Sequence, residues 1–179
     1  MSTRSPEEPE FSRLIAAETV SNHPQRREIA AEPGERQALA RRFGLLSLDK
    51  LAASLGLHRQ AGEVIRIHGH LVADVVQSCV VTLAPVPAHL ETEFELSYGA
   101  SADEEEAGVL DPIGPDAPEP LVEGQIDLGE ALAQQLAVAL DPYPRAPGAS
   151  LALERFTAEA GKTPGKQPFA ALAEFKKRP

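Results

Sequence analysis

The sequence predicts an α+β fold: a single domain in which a strongly curved, barrel-like antiparallel sheet is covered by two or three helices. Three observations predict it. Between Val64 and Val76, apolar Ile65, Ile67, Leu71, Ala73 and Val75 alternate with Arg66, His68, His70 and Asp74. This period of two gives a strand one buried face and one wet face. After a Pro85-Val86-Pro87 break the pattern resumes. Leu90, Thr92, Phe94, Leu96 and Tyr98 then fall on one side, and His89, Glu91, Glu93, Glu95 and Ser97 on the other. Two long strands joined this tightly pair antiparallel, because a parallel pair needs a long crossover. The third observation is a pair of helix signatures outside this stretch, one near residues 34–43 and one near 128–140.

Taken in order, the chain begins with an extension over residues 1–20. Met1–Glu10 has neither the basic start nor the apolar core of a signal peptide. Phe11, Leu14 and Ile15 fit either one helical turn or a segment lying along the domain edge. The domain proper is expected over 21–160. After the Asn22-His23-Pro24 break, residues 25–31 read as a short edge strand. Glu32-Pro33-Gly34-Glu35 starts a helix, since proline at the first turn removes no needed hydrogen bond and early acids suit the positive end of the dipole. Gly44 ends it.

Residues 47–59 fit both periods. Leu48, Leu51, Ala52 and Leu55 suit a helix, while Leu51, Ala53, Leu55 and Leu57 suit a strand. The Gln60-Ala61-Gly62 turn and the strand after it favour a hairpin, so the expected strands are 25–31, 49–59, 63–78, 86–98 and 121–126. Between Gly99 and Pro120, Asp103-Glu104-Glu105-Glu106 and four prolines predict a mobile acidic loop. Asp127 is a natural N-cap with Glu130 at the capping-box position, and Leu128, Leu132, Leu136 and Leu140 stripe the helix that follows. Residues 161–179 read as a linker and a short amphipathic helix with a basic tip.

Composition narrows the function classes. A chain of 179 residues suits one domain with a real core. With no Trp and 6 Phe, that core must be mainly aliphatic. A single cysteine forms no internal disulfide, which fits a reducing cytoplasm. No stretch approaches a membrane span. The net charge is −10, and its acid is concentrated: residues 91–141 hold fourteen Asp and Glu with no Lys or Arg, while residues 142–179 are net basic. Such a field attracts cations and basic proteins and repels phosphate.

Candidate chemistry is sparse. His68, His70 and Glu93 share a strand face and could serve a metal-dependent hydrolase, yet no cysteine pair or helical histidine pair accompanies them. A polar strand face explains them far better. Cys79 fits a buried apolar residue better than a nucleophile. There is no phosphate-binding glycine loop, GxSxG or HExxH, so no catalytic residue, metal or cofactor is assigned. The binding candidates are the row Glu91, Glu93 and Glu95, the helical Arg41 and Arg42, and the C-terminal stripe Phe169, Leu172 and Phe175 with Lys176, Lys177 and Arg178.

Three stretches, in order, carry a family resemblance. They are Gly69-His70-Leu71-Val72-Ala73-Asp74-Val75-Val76 running on through Cys79 to Pro85-Val86; Gly124-Gln125-Ile126-Asp127-Leu128 followed by Leu140-Asp141-Pro142-Tyr143-Pro144; and Pro168-Phe169-Ala170-Ala171-Leu172 with Lys176-Lys177. Over roughly residues 20–178 the chain resembles the YceD family, the large ribosomal RNA subunit accumulation proteins. The resemblance implies a small cytoplasmic, non-enzymatic bacterial factor supporting 23S rRNA accumulation in large-subunit assembly. Its partners would be 23S rRNA or a large-subunit precursor, touched directly or through a basic ribosomal or processing protein. Many members carry Cys-x-x-Cys where this chain has Cys79-Val80-Val81-Thr82, so a metal or redox role for that pair is not carried over.

Overall fold

The computed structural model describes residues 9–60, 64–99 and 118–149. In chain order the elements are β1 (Leu14–Ala16), a 3-10 turn (Ala17–Thr19), β2 (Gln25–Ala30), α1 (Pro33–Phe43), β3 (Ser47–Arg59), β4 (Ile65–Ser78), β5 (Pro85–Gly99), β6 (Glu119–Pro120), β7 (Gln125–Asp127) and α2 (Leu128–Ala139). Of the two expected forms Leu14 and Ile15 take the extended one, and a helical turn follows them over Ala17–Thr19. Phe11 itself is buried.

The main sheet has the order β2-β3-β4-β5-β6. It is open, with β2 at one edge and β5 and β6 at the other, and does not close into the expected barrel. The alternation on β4 and β5 decides its faces. Ile67 stands opposite Leu96, Leu71 opposite Thr92 and Ala73 opposite Leu90, while His68 faces Glu95 and His70 faces Glu93 on the other side. Residues 47–59 are a strand, pairing with β4 along nearly their whole length, with one irregularity between Leu48 and Lys50. Leu51, Ala53, Leu55 and Leu57 enter the core.

One expected strand is corrected. Residues 121–126 do not form a single strand of the main sheet. Glu123 and Gly124 both have positive φ, 52° and 71°, so the chain turns there, and the Gln125 N–H donates to the Val122 carbonyl at 2.9 Å. The turn divides the segment. Gln125–Asp127 instead pairs antiparallel with Leu14–Ala16 in a separate two-stranded sheet. The fifth strand of the main sheet is the two-residue β6, which runs parallel to the end of β5 through Tyr98 and Gly99.

Both helices begin and end as their termini dictate. Pro33 opens α1, and the Glu32 N–H donates to Glu35 Oε2 at 2.7 Å. Gly44 closes the helix in the left-handed region, at φ 65°. Asp127 Oδ1 caps α2, accepting from the N–H groups of Gly129 at 2.9 Å and Glu130 at 3.3 Å. The same oxygen accepts from the Arg13 N–H at 2.7 Å, which binds the N-terminal segment to the start of α2. Leu128, Leu132 and Leu136 then bury one stripe of α2, which lies over β4, β5 and β1, while α1 lies against β3. The described core is one continuous, mainly aliphatic cluster containing residues of both helices and of β3, β4 and β7.

The expected acidic loop falls mostly on residues 100–117. That stretch, the early residues 1–8 and the residues of the expected C-terminal helix, 168–178, lie outside the described residues.

Candidate functional site

The sheet face turned away from the core gathers most of the polar side chains that the sequence singled out. Glu91, Glu93 and Glu95 are exposed at every second position of β5. Successive same-face residues on a strand are about 6.8 Å apart, so the three carboxylates form an evenly spaced comb. β4 lays Arg66, His68, His70 and Asp74 beside it, and β3 adds Ser54 and His58. Ser54, His68, His70, Glu93 and Glu95 line an open cleft of about 480 Å³. Gly69 also lines it, and on the core side the Phe94 ring lies over Gly69 where a side chain would stand. A Cβ on Gly69 would come within 2.1 Å of that ring.

The electrostatics of this face are uneven. Arg66 Nη1 donates to Glu95 Oε1 at 2.6 Å. His70 Nε2 lies 2.9 Å from Glu91 Oε1, and His89 Nδ1 lies 2.6 Å from Asp74 Oδ1. His58 and His68 stack with ring centroids 5.8 Å apart. Among the described residues Glu93 has no ion-pair partner. His68, His70 and Glu93 do not converge. Each histidine is drawn to its own glutamate, and among the described residues no three His, Cys, Asp or Glu come together as an ion would need.

The helical arginines differ from each other. Arg42 sits between two carboxylates, donating to Glu130 at 2.7 and 2.8 Å and to Glu10 at 3.0 Å. The Arg42 hydrogen bond holds the Glu130 carboxyl below its ordinary range, and this use of Glu130 replaces the expected reach back to its own cap. Arg13 forms the equivalent fork to Glu35 at 2.7 and 2.9 Å and holds that carboxyl down likewise. Arg42 is therefore a link between α1, α2 and the N-terminal segment. Arg41 is exposed and has no ion pair among the described residues. The candidates Phe169, Leu172, Phe175, Lys176, Lys177 and Arg178 lie outside those residues.

Cys79 follows β4 in a tight turn and is fully buried. Its sulfur accepts the N–H groups of Val81 and Thr82, each at 3.4 Å. The Ala146 N–H and the Thr82 hydroxyl act in the same sense. Together these donors outweigh burial and lower the thiol to about 6. With Thr82 in the second position the turn offers one thiolate, and the residues present do not fit a zinc site. A folded-state value below the unfolded one, about 8.5, means that the thiolate's contribution is complete above that value and vanishes as pH falls through the folded value. The stability gap between the native protein and Cys79→Ala should therefore widen from about pH 6 to pH 8.5. Urea unfolding across that range checks it, and a pH-independent gap contradicts it.

Sequence reasoning found the glutamate row because alternation exposes it directly. It missed the contribution of Ser54, which only the β3–β4 register supplies. No helix among the described residues is long and apolar enough to cross a membrane.

A family model described as "Large ribosomal RNA subunit accumulation protein YceD" matches residues 67–176, more than half of the chain. No curated protein and no solved structure shows a match.

Proposed function

Because the chain belongs to the YceD family of large ribosomal RNA subunit accumulation proteins, we propose that it supports 23S rRNA accumulation as a cytoplasmic binding factor. In this reading it does no chemistry of its own. It holds a basic ribosomal or RNA-processing protein on the outer face of its sheet, and RNA is affected through that partner. The observation that carries this is the exposed comb Glu91, Glu93 and Glu95, with Glu93 unpaired among the described residues. Ribosomal and RNA-processing proteins bear clustered Lys and Arg for phosphate contacts. A carboxylate row on a rigid strand suits such a surface and, with a net charge of −10, repels bare RNA.

The test is retention of purified large-subunit proteins on the immobilised full chain. The triple variant Glu91→Lys, Glu93→Lys, Glu95→Lys should weaken retention by roughly 30-fold, since close interfacial charge pairs couple by one to several kcal/mol. The variant should still fold, because all three side chains are exposed. Retention of nothing by the native chain, or equal retention by the variant, overturns the reading.

Direct RNA contact is a second reading, supported by exposed Arg41 and by the basic composition of residues 142–179. In that reading Phe169, Leu172 and Phe175 seat the C-terminal helix while Lys176, Lys177 and Arg178 meet phosphate. Arg42 contributes little, being held by Glu130. Binding to 23S rRNA fragments would then fall steeply with salt.

A further inference from the structure

The acidic comb stands on a strand whose far edge is nearly bare among the described residues. β4 pairs with β5 from Pro85 to Tyr98. On the opposite side, among the described residues, only Tyr98 and Gly99 are paired, with β6. From Ala88 to Ser97 alternate main-chain N–H and C=O groups of β5 therefore point away from the sheet. An edge of this kind accepts another extended chain. We infer that β5 is the site where the partner's basic segment adds as a further strand, with Lys or Arg at every second residue. This inference rests on the proposed function and specifies how the partner docks.

The side chains select the occupant. In an antiparallel pair, opposed residues share a face. An added strand thus places alternate side chains beside Glu91, Glu93 and Glu95, and the intervening ones beside Leu90, Phe94 and Leu96. The last three are only partly buried at this edge although they join the core cluster. A basic/apolar alternation satisfies both faces. A second copy of β5 does not, because it sets glutamate against glutamate, and like charges directly opposite destabilise a strand pair. The adjoining Asp103-Glu104-Glu105-Glu106 has the same wrong sign. Pro85 and Pro87 lack N–H groups and limit the start of the edge. Arg66 and His70 reach diagonally to pair with Glu95 and Glu91 on the β4 side, which leaves Glu93 as the central anchor.

The probe is a labelled, end-blocked heptapeptide of alternating Lys and Val, titrated with the full chain at low salt. A peptide of the same composition with its Val and Lys in separate blocks is the control. Strand addition predicts that the alternating peptide binds about tenfold or more tighter than the blocked one. It also predicts that N-methylation of one alternate set of amides weakens binding by a similar factor while the other set tolerates it, because a strand bonds through one edge. Equal binding of the two peptides, equal tolerance of both methylation sets, or no binding of the alternating peptide overturns strand addition. If the Glu-to-Lys variant still loses the large-subunit proteins in those cases, the proposed function survives with a different docking mode. If that loss is also absent, both fail.

Discussion

Gly129→Ala is expected to destabilise the protein by about 3 kcal/mol, against the usual benefit of replacing a helical glycine by alanine. The reason is where its Cβ would stand. It would lie 2.6 Å from the Phe11 carbonyl oxygen and 2.9 Å from the Phe11 carbonyl carbon and the Ser12 Cα. All three are main-chain atoms, and neither side can give way easily. The Leu128 N–H donates to the Arg13 carbonyl at 3.1 Å, and the Arg13 N–H donates to Asp127 at 2.7 Å. Making room lifts the N-terminal segment and draws Phe11, 1% exposed, out of the core. It also strains the Arg13–Glu35 fork. At this chain length the loss corresponds to a fall in Tm of roughly 6–12 °C, read by thermal circular dichroism. Gly34→Ala is the control. Nothing lies within 4 Å of a Cβ there, so it should be neutral or mildly stabilising. Equal behaviour of the two variants would contradict the close approach of Phe11 to α2.

Leu71→Ala is expected to cost about 3–4 kcal/mol. Leu71 is 0% exposed at the middle of β4, with β3 on one side and β5 on the other. Its cross-strand neighbours are Ala53 and Thr92, which are too short to fill the space a leucine leaves. A core without tryptophan has few large side chains to move into it. The cavity persists, and its cost adds to the lost transfer energy. Urea unfolding should show a lower midpoint with an unchanged slope. Val72→Ala, one residue along and on the opposite face, should cost about 1 kcal/mol or less, because Val72 is only partly buried. If the two costs were alike, the assignment of inner and outer faces would be wrong.

How much of this was legible in the sequence depended on whether the deciding partner was near in the chain. β4 and β5 could be read residue by residue, since alternation is a local signal and their connection is short. The ends of α1 and α2 were likewise written locally, in Pro33, Gly44 and Asp127. β3 was ambiguous, because Leu51 and Leu55 satisfy both periods. Its neighbours on either side settle it as a strand. Residues 121–126 were misread because the partner of Gln125–Asp127 is Leu14–Ala16, far back along the chain, and nothing nearby announces that pairing. Arg42 looked like a free cation for the same reason: its carboxylates, Glu10 and Glu130, lie 32 and 88 positions away. The glutamate comb was visible at once, but that it borders an edge largely unpaired among the described residues follows from strand order, which the residues of β5 do not encode.

The joining of β1 to β7 has a consequence for synthesis. Arg13 and Asp127 meet although 114 positions separate them. A nascent chain therefore carries Phe11 and the greasy side of β3, β4 and β5 without their cover until Gln125–Leu136 has left the exit tunnel. Contacts this distant in sequence slow folding and leave adhesive surface open meanwhile. Translation that stalls before α2 should yield a ribosome-bound fragment that protease cleaves readily and chaperones retain, whereas release of the finished polypeptide should close the structure in one late step.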